Sequence, residues 1–80
     1  MRTILKLSDL VPGRTGCVSR ICGEGRLRKR LLDMGVVPGS EIEVLRIAPL
    51  GGPMEVVVRG YNLSLRMEEA AQVYLEVSKK

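Results

Sequence analysis

Eighty residues allow one domain with a single core, and so small a core has little left over to line a deep substrate pocket. The chain is 45% hydrophobic and dominated by Leu, Val and Ile, which excludes a disordered tail; with no Phe or Trp, and only Tyr61 and Tyr74, that core is aliphatic. Thirteen basic and nine acidic residues leave a charge of +4, which favours an acidic protein, an anionic membrane face or a nucleic acid without choosing among them.

Met1 to Lys6 lacks the charged-then-apolar design of a secretory signal. No apolar run approaches the ~20 residues that span a bilayer. The expectation is a cytoplasmic, reduced protein with no direct membrane insertion. Ser8-Asp9-Leu10 suits a short helical turn ahead of Pro12. Val11-Pro12-Gly13 suits a type II turn, with proline presetting φ and glycine taking φ > 0. Thr15 to Ile21 then reads as a strand. Leu27, Leu31 and Met34 follow at helical spacing, with Leu32 beside them. Gly25 precedes this helix, Gly35 ends it and Pro38 blocks its continuation.

Val37-Pro38-Gly39 repeats the earlier turn. Val44, Arg46 and Ile47 follow it at the offsets that Val18, Arg20 and Ile21 keep from the first. Each echo reads as a turn feeding a strand, and it is too short for a solenoid repeat. Ile42 and Val44 alternate with Glu41 and Glu43. Met54, Val56 and Val58 alternate with Glu55, Val57 and Arg59. Leu50-Gly51-Gly52-Pro53 connects these two strands. Asn62 to Arg66 is a weaker strand, Met67 to Ala71 a short helical turn, and Val73, Leu75 and Val77 the inner face of a last strand. Residues 1–80 thus make one mainly β domain of about five strands, with one main helix and one or two short helical turns. A small SH3-like barrel fits, because closure hides sheet edges.

The chemistry is defined by what is missing. Histidine is absent, and with it the commonest general base and metal ligand. No serine or cysteine has a base to activate it. Cys17 and Cys22 lack a second pair to complete a tetrahedral metal site, and read as buried or half-buried thiols. The carboxylate pairs Glu41/Glu43 and Glu68/Glu69 read as solvated. Gly23-Glu24-Gly25 is not followed by the lysine and hydroxyl of a phosphate loop. Neither catalysis nor a cofactor nor a bound metal is expected.

Two surface features remain. Arg26, Arg28, Lys29 and Arg30 put four positive charges on one helix. Arg26, Lys29 and Arg30 can share a face; Arg28 points elsewhere. The run is either a solvated face or a contact for an acidic protein or a phosphate backbone. Few aromatics are available to stack bases, which argues against nucleic acid. Leu50, held by Gly51, Gly52 and Pro53, either folds back over the barrel end or anchors in a partner's pocket.

The motif blocks carry a resemblance. They are Leu7-Ser8-Asp9-Leu10-Val11-Pro12-Gly13, then Leu27 to Gly39 with Arg30-Leu31 and Met34-Gly35 ahead of Pro38-Gly39. Ala48 to Pro53 and Leu63-Ser64-Leu65-Arg66 before Glu68-Glu69-Ala70 complete the set. From Leu5 to Val77 the chain resembles the FeoA family of bacterial ferrous iron uptake, whose domain type recurs at the C-terminus of DtxR-type metal-dependent repressors. The resemblance implies an SH3-like barrel and, as partner, the FeoB transporter with its cytoplasmic GTP-binding region. It implies an accessory role played by binding. The alternative is a regulatory barrel of such a repressor, or a relative with another protein target. No helix-turn-helix is present, and the start at Met1 and end at Lys80 fit a free-standing protein or an excised domain. The oligomeric state is left open.

Overall fold

The computed structural model describes residues 2–78. In chain order these form β1 (Arg2–Lys6), a 3-10 turn (Leu7–Asp9), β2 (Thr15–Ile21), α1 (Gly25–Asp33), β3 (Glu41–Ile47), β4 (Met54–Val58), β5 (Tyr61–Leu65), α2 (Met67–Ala70) and β6 (Val73–Ser78). The strands form one sheet in the order β1-β6-β2-β3-β4-β5, with every neighbouring pair antiparallel.

The sheet therefore has six strands where five were expected. The extra one is β1, in which Thr3 and Leu5 are half-buried and Arg2, Ile4 and Lys6 exposed. It is an edge strand held on β6, and so short an alternation ahead of a turn is a weak signal. The two end strands, β1 and β5, do not pair with each other among the described residues. Hydrogen bonding thus leaves the barrel open, against the expected closure.

The core follows from the alternation. Ile42 and Val44 of β3, Met54, Val56 and Val58 of β4, and Val73, Leu75 and Val77 of β6 are buried on one face. Leu7, Leu10, Leu31, Leu65 and Ala70 belong to the same buried cluster. Full burial of a Leu or Val side chain is worth about 1.5–3 kcal/mol, so this aliphatic cluster drives folding.

The sequence echo is a structural equivalence. The Arg14 N–H donates to Val11 O at 3.1 Å and the Ser40 N–H to Val37 O at 2.9 Å, closing both Pro-Gly turns. Gly13 and Gly39 take φ of 92° and 93°, as the turn requires. Each turn then bonds to the other's strand. The Gly13 N–H donates to Val44 O and the Gly39 N–H to Val18 O, both at 2.8 Å. The Val44 N–H returns a bond to Arg14 O and the Val18 N–H one to Ser40 O. β2 pairs with β3 around Gly16 opposite Ile42. A register irregularity falls between Val18 and Arg20 in one strand and between Val44 and Arg46 in the other, where each strand bends. The two halves are thus related by an approximate two-fold. Gly16, at its centre, is required for space. A Cβ there would lie 2.9 Å from Val77 Cγ1 and 3.0 Å from Leu75 Cβ.

Candidate functional site: the basic helix and the Leu50 hairpin

Helix α1 follows β2. Leu31 is its buried anchor, with Leu27 and Leu32 partly buried on the helix and Met34 at its C-cap. Arg26, Arg28 and Lys29 are exposed and form no ion pair among the described residues. Arg30 is different. Its Nη1 donates to Glu69 Oε2 at 2.7 Å, and the Glu69 side chain is only 8% exposed. Glu69 Oε1 accepts a second bond, from the Arg66 N–H at 2.9 Å. One carboxylate thereby starts α2 and fastens α1 to it.

This corrects two expectations. Glu69 is buried, not solvated, because both oxygens are occupied. Arg30 belongs partly to the framework, so the cations of α1 without an ion pair among the described residues are Arg26, Arg28 and Lys29. Glu68 is exposed, as are Glu41 and Glu43. The role of Glu69 was hard to read because its capping partner is Arg66, outside the usual Ser/Thr-x-x-Glu signature.

The β3–β4 connection is a tight hairpin. The Ala48 N–H donates to Pro53 O at 2.9 Å and the Gly52 N–H to Pro49 O at 3.2 Å. Leu50 and Gly51 take φ of 60° and 72°, both left-handed, as in a type I′ turn. A leucine in that conformation costs about 1–2 kcal/mol. Leu50 is nevertheless fully exposed, so no burial in this chain offsets the strain. Of the two readings open for Leu50, folding back over the barrel end is excluded. Gly52 is needed for space, since a Cβ would lie 2.7 Å from the Ala48 Cβ. Below the tip, Ile47, Ala48, Pro49 and Pro53 line a shallow groove with Arg46 and Glu55 at its wall. Arg46 binds Glu55 through Nε at 2.9 Å and Nη2 at 3.1 Å. That hydrogen bonding, and then the carboxylate's charge, push the Arg46 pKa above its ordinary value.

Helix α1 follows Ile21 and the hairpin follows Ile47, so the two surfaces leave opposite ends of the antiparallel β2–β3 pair. Between them lie Cys17, Glu41 and Glu43, all exposed. Cys17 is thus not the buried or half-buried thiol expected: its side chain falls on the outer face of β2, opposite Glu41 and Glu76. Cys22 is half-buried, and both thiols are free. No group of three or more metal-ligating side chains occurs among the described residues. No described helix is long and apolar enough to cross a membrane. The Arg20 guanidinium lies 5.0 Å from the centre of the Tyr74 ring, a contact the sequence did not announce.

The sequence profile of the FeoA domain matches residues 5–77. The chain belongs to the FeoA family. It is 41% identical over 73 residues to the Fe(2+) transport protein A/Fe(2+) transporter FeoB fusion protein of Porphyromonas gingivalis, covering 91% of this chain and 9% of that one. It thus spans about a tenth of that relative. The solution structure of iron(II) transport protein A from Clostridium thermocellum superposes with a TM-score of 0.87 at 42% identity, over 91% of this chain and 45% of that one. The zinc-complexed FeoA of Stenotrophomonas maltophilia, a procaryotic SH3 domain protein, gives 0.79 at 27% identity over 89% and 88%. A manganese-dependent transcriptional repressor gives 0.87 at 19% identity over 98% and 44%, a likeness of fold alone. The family is one of ferrous iron transport, and its SH3-like architecture is the one expected.

Proposed function

We propose that this chain is a non-catalytic accessory protein of ferrous iron uptake that binds the cytoplasmic part of an FeoB transporter. The observation that carries the reading is the fusion relative, in which a domain 41% identical to this chain shares one polypeptide with FeoB. Fusion holds the two modules at high effective concentration, which rewards a pair that works in contact. The exposed Arg26, Arg28 and Lys29 and the strained, exposed Leu50 with Gly51, Gly52 and Pro53 are the contact residues this reading assigns. An apolar anchor at one end of the β2–β3 pair and a charged helix at the other suit recognition with steering by charge. The chain then works in the cytoplasm, where FeoB presents its GTP-binding region.

The test is a titration of the isotopically labelled chain with the cytoplasmic region of FeoB, in GTP-like and GDP forms. Amide signals of the Gly25–Gly35 segment or of Leu50–Pro53 are expected to shift. Saturating partner that leaves every signal unmoved refutes the reading.

A further inference from the structure

The β5 edge is unguarded. Tyr61-Asn62-Leu63-Ser64-Leu65 carries no charge, no proline and no bulge, and its strand partner among the described residues is β4 alone. The other end of the sheet is protected as edges usually are. β1 carries Arg2 and Lys6, and Arg2 pairs with Glu76 at 3.1 Å.

Register shows which backbone groups are free. β4 and β5 are joined by Arg59 and Gly60, with φ of 54° and 82°, a two-residue type I′ turn. The flanking pair, Val58 and Tyr61, therefore exchanges both ladder bonds. So do Val56 with Leu63 and Met54 with Leu65. Alternation turns the N–H and C=O of Asn62 and Ser64 outward. Among the described residues, neither makes a hydrogen bond outside the β4–β5 pair. Tyr61 is exposed and Leu63 half-buried on one side of this edge, forming an apolar shelf. At the two ends stand Arg59 and Arg66, exposed and without ion-pair partners among the described residues.

Resting on the FeoB reading above, we propose that the outer edge of β5 receives an extended segment of that transporter's cytoplasmic part as an added strand. Asn62 and Ser64 supply four backbone groups to it. Apolar side chains of the segment pack on Tyr61 and Leu63. An acidic residue near each end pairs with Arg59 and Arg66. At about 3.3 Å per residue the segment between those acids is roughly five to six residues long. A second copy of this chain is a poorer occupant. Two molecules of charge +4 repel, and a five-residue edge buries far less than the ~800 Å² per partner of a stable dimer. A peptide strand needs no such area, because backbone bonds carry its affinity.

The experiment measures amide exchange of the full chain by NMR, alone and with saturating FeoB cytoplasmic region. Asn62 and Ser64 are expected to slow at least roughly tenfold, equivalent to ~1.4 kcal/mol. Ser64→Pro removes an outward N–H at an edge position that tolerates proline, and is expected to weaken binding by a similar factor. Binding that leaves both amides unprotected overturns the edge proposal and spares the partner reading. Absence of any binding overturns both. Protection that rises with the chain's own concentration, without partner, overturns the choice of occupant. Should Ser64→Pro not fold, the exchange rates of the unaltered chain decide.

Discussion

Replacing Glu69 with alanine removes one carboxylate that holds two elements. It accepts from Arg30 at 2.7 Å and from the Arg66 N–H at 2.9 Å. A hydrogen bond to a charged group contributes about 1.5–3 kcal/mol. The Arg30 side chain is 57% exposed, so solvent screens this pair and brings its share down to about 1 kcal/mol. Loss of the bond that starts α2 costs about 1 kcal/mol more, by analogy with other helix caps. These mutational magnitudes already include desolvation of the carboxylate, so together they put the net loss at about 2 kcal/mol. In a domain of this size each kcal/mol moves the melting temperature by about 4–8 °C. Glu69→Ala is therefore expected to melt roughly 8–16 °C below the parent in a circular dichroism scan. Glu68→Ala, at the exposed neighbour, is expected within about 0.5 kcal/mol of it. Arg30→Ala should destabilise the chain as well, because it leaves the buried Glu69 carboxylate without its counter-charge and with only the Arg66 N–H as partner. Equal melting temperatures for Glu68→Ala and Glu69→Ala would refute the assignment of Glu69 as the fastening between α1 and α2.

Three further outcomes are expected. Gly16→Ala forces a Cβ to within 2.9 Å of Val77 Cγ1, and overpacking of this kind costs about 1–3 kcal/mol, read as a lower urea midpoint with unchanged slope. Leu50→Asn suits the left-handed turn and loses no burial, so it should stabilise the chain by up to about 1 kcal/mol while weakening capture of FeoB; a loss of stability would contradict the strain argument. The double variant Arg28→Glu with Lys29→Glu should keep its stability within about 0.5 kcal/mol. Its FeoB affinity should drop and depend less on salt, and an unchanged binding isotherm would remove α1 from the interface.

Much of the fold was legible because burial here is one-sided. Period-two alternation places aliphatic residues inward through β4 and β6 and as far as Val44 in β3, where the register irregularity leaves both Leu45 and Arg46 exposed. The Pro-Gly turns were legible for a local reason, since their φ values are set by the residues themselves. β1 was not, because its few residues gain order only by lying against β6, a partner some seventy residues away. Openness of the sheet was equally hidden, as nothing in β1 or β5 alone says whether the two meet. In the candidate site, exposure decides between the two readings of Leu50, whereas the exposure of Arg26, Arg28 and Lys29 fits both readings of the basic run. The pairing of Arg30 was not legible, because a charge run does not reveal which member finds a buried carboxylate across the fold.

The approximate two-fold bears on how the candidate surfaces can act. The equivalence covers the turns, the paired centres and the bends at Arg20 and Arg46, and it ends where β2 and β3 end. Beyond Ile21 the chain makes a basic helix; beyond Ile47 it makes a tight hairpin with an apolar tip. What differs between the halves is thus what each strand delivers. Because β2 and β3 run antiparallel, the two products leave from opposite ends of the pair. A partner that touches both must pass the exposed Glu41 and Glu43 on the way. A polyanion on that path would meet carboxylates between one end and the other, and electrostatic binding needs a continuous basic track. A protein of mixed charge meets no such barrier. It can set acidic residues against Arg26, Arg28 and Lys29 and an apolar pocket around Leu50. That asymmetry, built on a symmetric centre, is the physical ground for expecting a protein partner.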